Sequence, residues 1–402
     1  MTKSSFLSFP VIHLFQQSVI RNPQSVILPF TITYLPGARD GVPLLNDCGI
    51  IFRMKHPPLS FPKDHGSHNT IVEWWYFNGH LMDAKKRRYA FMDCFFKVNV
   101  QKANIPFLKH LPVSKKHEYV HFGHSILTDI KKKTNVRDIH LMSRISHDSF
   151  TRPELFINYT NPLSLGRTNY EIAQTGPSTI HIKTEAMDLS LEIRKVPMLE
   201  QGKGYIAVCG RESAYYSLTH LVATGKILVE KKWIEVDGVA WMDHQWANEG
   251  YNKDQWSWFC MQLENGTELM CVEYDRGQES ASFFDLIKKD GRSEHGTDIF
   301  FARGTDTWKS PKTKSAYPLT WAIEIPSQHI HLTVTAPVPD QEMVAVEVNY
   351  WEGPLDVQGT IAGKPVRGVG FMELVRHDAG SNLLSMAGRE MIKKFSALKK
   401  LL

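Results

Sequence analysis

No run of eighteen apolar residues occurs in this 402-residue sequence, so no membrane-spanning helix is expected. A Walker loop, a GxGxxG turn and a GxSxG elbow are all missing. That removes the phosphate cradle, the dinucleotide site and the serine nucleophile from consideration. Cysteine is scarce. Cys48, Cys94, Cys209, Cys260 and Cys271 are scattered without a CxxC or a zinc-finger spacing, and they read as free, mostly buried thiols. The histidines in GSHNT, GHS and IHI form no tight ligand array, so no metal and no other cofactor is expected. Blocks of one charge sign are lacking as well. The net charge of +5 comes from dispersed lysine pairs and the tail, which argues against nucleic acid as a partner.

Tryptophan is concentrated instead. Half of the ten tryptophans fall between Trp233 and Trp258, in a stretch that also carries Asp243, His244, Glu249 and Asp254, with Glu273 and Asp275 just beyond. Titratable groups among large aromatics are where pKa values move easily. The stretch is either the wall of a binding cavity or an aromatic core seam, and the carboxylates favour the cavity.

Residues 1–55 have no sustained period and five prolines, and are expected to be a poorly ordered leader. The first apolar residues are broken by Pro10, His13 and Gln16, a weak secretory signal that favours a cytoplasmic or membrane-peripheral chain. From Pro57 onward, short β-type segments recur at spacings near ten residues, with turn residues between many of them. The expected fold is therefore all-β: two packed antiparallel barrel or sandwich domains, 56–237 and 238–379. A short basic amphipathic helix over 380–402 is expected to follow, docked on the barrel or touching a membrane surface.

In the first strand Glu73, Trp75 and Phe77 share one face, and a carboxylate in so apolar a strand needs a partner or a task. In MDHQW, His244 and Trp246 point one way and Asp243 the other; a histidine beside a carboxylate can exchange protons near neutral pH. Asn265-Gly266 in LENGTE reads as the centre of a two-residue hairpin turn. Counting back from it sets Cys260 opposite Cys271, Trp258 opposite Glu273 and Trp256 opposite Asp275 on one face.

Several blocks in order carry a resemblance: Pro62-Lys-Asp-His-Gly-Ser-His, Glu73-Trp-Trp-Tyr-Phe-Asn-Gly, Ser213-Ala-Tyr-Tyr-Ser, Gly238-Val-Ala-Trp-Met-Asp-His-Gln-Trp, Trp256-Ser-Trp-Phe and Tyr350-Trp-Glu-Gly. Over about residues 57 to 377 the chain resembles the AttH and carotenoid 1,2-hydratase (hydroxyneurosporene synthase) family. The resemblance implies two lipocalin-like β-domains and leaves a periplasmic or secreted location open. Its hydratase branch implies cofactor-free addition of water to an isoprenoid carbon–carbon double bond, and its fungal members include hydratases and pericyclases. The family pairs an HxW, matched by His244 and Trp246, with a YxD. Without gaps the YxD falls on Cys271-Val272-Glu273, with Tyr274 and Asp275 close by. On this reading Glu273 is the proton donor, His244 delivers water and Asp243 assists. Trp246, Trp256, Trp258, Glu73, Trp75 and Tyr274 line the site of a small apolar isoprenoid-like or polyketide-like substrate. The rival expectations are a non-catalytic lipocalin-type carrier and a catalyst of cyclisation acting by shape.

Overall fold

The computed structural model describes residues 45–46, 49–50, 56–103, 118–140, 143–161, 169–249, 254–344 and 349–375. Residues Met1–Lys55 and His56–Leu402 are separate units. In the first, the two-residue strands Leu45–Asn46 and Gly49–Ile50 pair antiparallel. The remainder of the expected leader and the whole expected tail helix lie outside the described residues.

The second unit is built on two antiparallel sheets, and the described residues contain no helix beyond short 3-10 turns. Nine strands carry the argument: β1 (Val72–Asp83), β2 (Arg88–Asn99), β3 (Tyr119–Asp129), β4 (Arg211–Val229), β5 (Lys232–Ala247), β6 (Gln255–Leu263), β7 (Glu268–Arg276), β8 (Asn349–Ile361) and β9 (Lys364–Val375). The first sheet runs β3-β2-β1-β5-β4 through its centre, and shorter strands extend it on both sides. The second runs β7-β6-β9-β8, with Glu279–Ile287 beyond β7 and Ile330–Thr335 beyond β8. Both sheets are curled half-barrels, and the all-β, two-domain lipocalin-like architecture expected from the sequence is the one found.

Alternation explains the layering. Each central strand is buried on both faces, one toward the hollow of its own sheet and one toward the other sheet. Such strands read as nearly continuous apolar runs rather than half-polar ones. Trp75, Phe77, Phe91, Phe95, Tyr216 and Met242 fill the hollow of the first sheet. Phe259, Met261, Trp321, Trp351 and Met372 fill that of the second. A third core joins the sheets back to back through Tyr76, Met92, Cys94, Tyr215, Trp241, Trp258, Cys260, Met270 and Phe371. Truncating any one of these buried rings removes about 3–5 kcal/mol.

Two expectations need correction. Strand β5 crosses the expected boundary at 237/238 without a break, and the chain passes from one sheet to the other between Ala247 and Gln255. The β6–β7 register also differs by one residue. Trp258 faces Val272, Ser257 faces Glu273 and Phe259 faces Cys271, so Cys260 and Cys271 lie on opposite faces. The cause is the turn. Leu263 N–H donates to Thr267 O and Gly266 N–H to Leu263 O, which encloses a three-residue loop with Gly266 at φ 82°. A left-handed glycine at the third position is the bulged hairpin that Asn-Gly also favours.

Candidate functional site

Because β5 is a wall with two buried faces, its neighbouring residues serve two different places. His244 and Trp246 point into the hollow of the first sheet, and Asp243 points into the seam between the sheets.

In the hollow, Glu73 is fully buried, and β1–β2 pairing sets it opposite Lys97. Lys97 Nζ lies 3.1 Å from Glu73 Oε2, so the carboxylate has its cross-strand cation. It has more than that. Ser67 Oγ donates to Oε2 at 3.0 Å, His68 N–H reaches both oxygens at 3.0 Å, and His68 Nδ1 lies 2.8 Å from Oε1. His244 Nε2 is 3.1 Å from the same Oε1. Burial alone would raise the Glu73 pKa, but the hydrogen bonds and charges of His244, His68 and Lys97 hold it down at about 2. Burial lowers His244 below its ordinary value against the pull of Glu73. Trp75 stacks on His244 with ring centroids 4.7 Å apart, and Trp246 stacks on His68 at 3.8 Å. Tyr216 and the Asp64 carbonyl meet His244 Nδ1. Four expected site residues, Glu73, Trp75, His244 and Trp246, are thus brought together here. His68 and Lys97 were not anticipated, because 68, 97 and 244 share no local spacing.

The seam holds a second set. Asp243 accepts hydrogen bonds from Tyr215, Ser217 and Trp241, each at 2.6 Å. Burial raises it to about 6 while these three donors hold it back. Tyr215 in turn accepts from Trp258 Nε1 at 3.0 Å, which fixes that indole. Across β9, Trp258 faces Glu373, and Trp256 Nε1 donates to the Glu373 carboxylate. Glu373 is itself the cross-strand partner of Glu352 on β8. Two carboxyls on adjacent strands of one buried face is a costly arrangement. Burial pushes Glu373 up to about 7. Burial, then the charge of Glu373, pushes Glu352 well above the carboxylate range, and the Tyr76 hydroxyl nearby pulls that shift back. Both Glu352 oxygens and the Tyr76 hydroxyl are buried without a partner at hydrogen-bonding geometry. A rim of partly buried aromatics, Trp74, Phe96 and Trp256, borders this part of the seam. Phe96 contacts His124, whose ring packs on Tyr350.

Glu273 joins neither set. It lies on the other face of β7 from the seam, 29% exposed, with Arg303 Nη2 at 2.5 Å and Ser257 beside it. The one-residue register difference separates it from Trp258. Tyr274 does face the seam, where its hydroxyl donates to Asp254, a partner of Arg211. Besides Asp243, Glu200 and Asp254, the seam holds the acids Glu352 and Glu373. Their signal was the one read at Glu73, a carboxylate in an apolar strand, and Glu352 stands in the Tyr350-Trp-Glu-Gly block.

A sequence model described as AttH-like matches residues 53–376. Among curated proteins, the chain is 23% identical over 201 residues to a dehydratase, asqC, of Emericella nidulans, covering 47% of this chain and 57% of that one. It is 26% identical over 141 residues to the kievitone hydratase of Fusarium solani subsp. phaseoli, covering 34% and 40%. The chain thus spans about half the length of the curated relatives it matches. A solved structure assigned to AttH of Nitrosomonas europaea superposes with a TM-score of 0.65 at 23% identity, over 80% of this chain and 98% of that one. The kievitone hydratase of Nectria haematococca gives 0.64 at 14% identity, over 80% and 94%. These two likenesses are of fold.

Proposed function

The chain belongs to the AttH-like family, and from that premise we propose that it is a hydro-lyase-type enzyme working by acid–base chemistry on a small apolar molecule, adding water to a carbon–carbon double bond or removing it. The observation that carries the reading is the Glu352–Glu373 pair, buried side by side against Trp256 and Trp258, with the Tyr76 hydroxyl near Glu352 but neither Glu352 oxygen in good hydrogen-bonding geometry. Two relatives named as dehydratase and hydratase point the same way.

The chemistry needs a carboxylic acid that is still protonated near neutral pH and a base to take a proton back. A coupled pair with raised pKa holds one proton between two carboxyls, which supplies both. For hydration, the pair gives its proton to one carbon of the double bond. The cation left on the other carbon is stabilised by the indole faces of Trp256 and Trp258. Water then forms the new C–O bond and returns a proton to the pair, so the sum is alkene plus water to alcohol. Dehydration is the same path reversed. Asp243 acts through Tyr215 to orient Trp258, and is a positioning residue in this scheme. The apolar rim suits an isoprenoid-like or polyketide-like substrate.

The test uses the full chain against a panel of prenylated and isoprenoid alkenes and their hydrates, with turnover followed by chromatography and binding by tryptophan quenching. Glu373→Gln and Glu352→Gln should each lower turnover by roughly 10²–10⁴-fold, as expected for loss of a general acid, while binding changes little. Trp258→Phe should cost less, since a π-face remains. A carrier gives the reverse order, with binding weakened by Trp258→Phe and indifferent to the glutamates. Undiminished turnover in both glutamine variants overturns the assignment.

A further inference from the structure

The cluster in the hollow of the first sheet takes no part in that scheme, and its geometry poses a separate problem. His244 Nδ1 lies 3.0 Å from the Asp64 carbonyl oxygen, a group that only accepts. In the Nδ1–H tautomer His244 donates to this oxygen and turns the Nε2 lone pair toward Glu73 Oε1 at 3.1 Å. The Tyr216 hydroxyl, 3.2 Å from Nδ1, supports the opposite tautomer, in which Nε2–H donates to Glu73. His68 repeats the situation, with Nδ1 2.8 Å from Glu73 Oε1 and Nε2 3.4 Å from Asp64 Oδ1. A neutral imidazole carries one N–H and can satisfy only one of these two carboxylates. Three atoms that can each present a lone pair thus converge, and a cation among them would let each histidine keep its outer N–H on Asp64.

We propose that His68 Nδ1, Glu73 Oε1 and His244 Nε2 form a binding site for a divalent transition-metal ion of the zinc class, with one coordination position left open. The three ligand atoms lie within 4.8 Å of one another. Tetrahedral bonds of about 2.0–2.1 Å separate ligand atoms by roughly 3.3 Å, so the two contacts to Oε1, at 2.8 and 3.1 Å, lengthen by a few tenths of an ångström while the two imidazole nitrogens, within 4.8 Å of each other, draw together around the ion. Two imidazoles and one carboxylate suit a borderline metal rather than magnesium or calcium.

The surroundings fit that role. Ligating histidines characteristically donate their other ring N–H to a carbonyl or carboxylate, and His244 and His68 are placed to do so to Asp64 O and Asp64 Oδ1. Lys97 and Ser67 bind Glu73 through Oε2, the oxygen turned away from both imidazoles. Oε1 accepts the His68 backbone N–H at 3.0 Å and keeps a second lone pair for the metal, while Lys97 orients the carboxylate. Trp75 and Trp246 clamp the two imidazole planes by stacking. Glu73 and His244 are fully buried while His68 is 21% exposed, so the open position lies on the His68 side, toward the loop that carries Ser67. An ion there binds a water or a substrate oxygen as its fourth ligand.

The test is cobalt binding to the full-length chain, freed of metal by dialysis against a chelator. Co²⁺ should bind at one equivalent per chain with the visible absorption of a low-symmetry nitrogen–oxygen site, and Zn²⁺ should displace it. His68→Ala, at the partly exposed ligand, and Glu73→Gln, which keeps the shape of the side chain, should each weaken binding at least about 100-fold. Circular dichroism establishes that both variants remain folded, and His331→Ala, on an exposed position of the second sheet, should bind as the unaltered chain does. No stoichiometric Co²⁺ in the unaltered chain, or equal affinity in folded His68→Ala and Glu73→Gln, overturns the site. Neither result touches the Glu352–Glu373 reading, which rests on the second sheet, across the seam.

Discussion

At the level of single residues, the decisive quantity is where a proton resides. The Glu373 carboxyl has an ordinary value of 4.5, and burial raises it to about 7 in the folded chain. The native state therefore holds this proton more tightly than the unfolded chain does. Its contribution to stability is complete below about pH 4.5 and is lost as the pH climbs through about 7. Glu373→Gln cannot take part in that loss. The stability of the unaltered chain relative to Glu373→Gln should fall from pH 4.5 to 7 and then level off, as read from urea midpoints at a series of pH values. A difference that stays constant would mean that the Glu373 carboxyl is not perturbed by its place in the seam. Glu73 runs the other way, held at about 2 by partners that supply it with hydrogen bonds and positive charge. Two buried glutamates one sheet apart thus have opposite habits, and the difference is the company each keeps rather than depth of burial.

Among elements, alternation was enough to identify the strands, and EWWY and MDHQW revealed which residues share a face. Glu73, Trp75, His244 and Trp246 were legible for that reason. What alternation does not supply is the count of residues in a turn. Asn265-Gly266 serves a two-residue loop as well as the last two places of a three-residue one, and the protein uses the latter. A slip of one residue sends every side chain to the other face. Glu273 and Trp258 part company for this reason, and Glu373 on β9 stands where an acid beside Trp258 was expected. Partners distant in the chain, such as His68 with His244, leave no local trace, whereas Glu352 and Glu373 face each other across the β8–β9 hairpin. The register makes its own prediction. Cys260 faces the seam and Cys271 the hollow of the second sheet, so oxidation should not join them. In brief thiol labelling of the native chain followed by peptide mass mapping, Cys209 should be modified well before Cys94, Cys260 and Cys271, since it alone of these four is not buried. A Cys260–Cys271 disulfide in the oxidised folded chain would contradict the pairing.

For the molecule as a whole, the seam makes the two sheets one cooperative object. Its core draws side chains from both, and polar ties add to it. His80 Nε2 meets the Gly370 carbonyl at 2.8 Å, and Gln262 Nε2 donates to the Thr219 and Ala240 carbonyls at 2.7 and 2.9 Å. Exposed Arg88–Asp356 bridges the same sheets but adds little. Neither sheet can leave without exposing the apolar face of the other, so chemical unfolding should be a single transition. Tryptophan emission, fed by buried Trp75 and Trp241 in one sheet and Trp321 and Trp351 in the other, should share its midpoint with far-ultraviolet dichroism. Two resolved midpoints would mean that the halves fold independently. The double-faced wall has a consequence for heredity too. Along β5 the odd-numbered residues Trp241, Asp243 and Gln245 belong to one chamber and the even-numbered Met242, His244 and Trp246 to the other. A substitution edits one chamber and spares its neighbour. Loss or gain of a single codon inside the strand trades the contents of both at once, so lineages descending from this gene can tune either chamber letter by letter but cannot shorten or lengthen the wall between them by one.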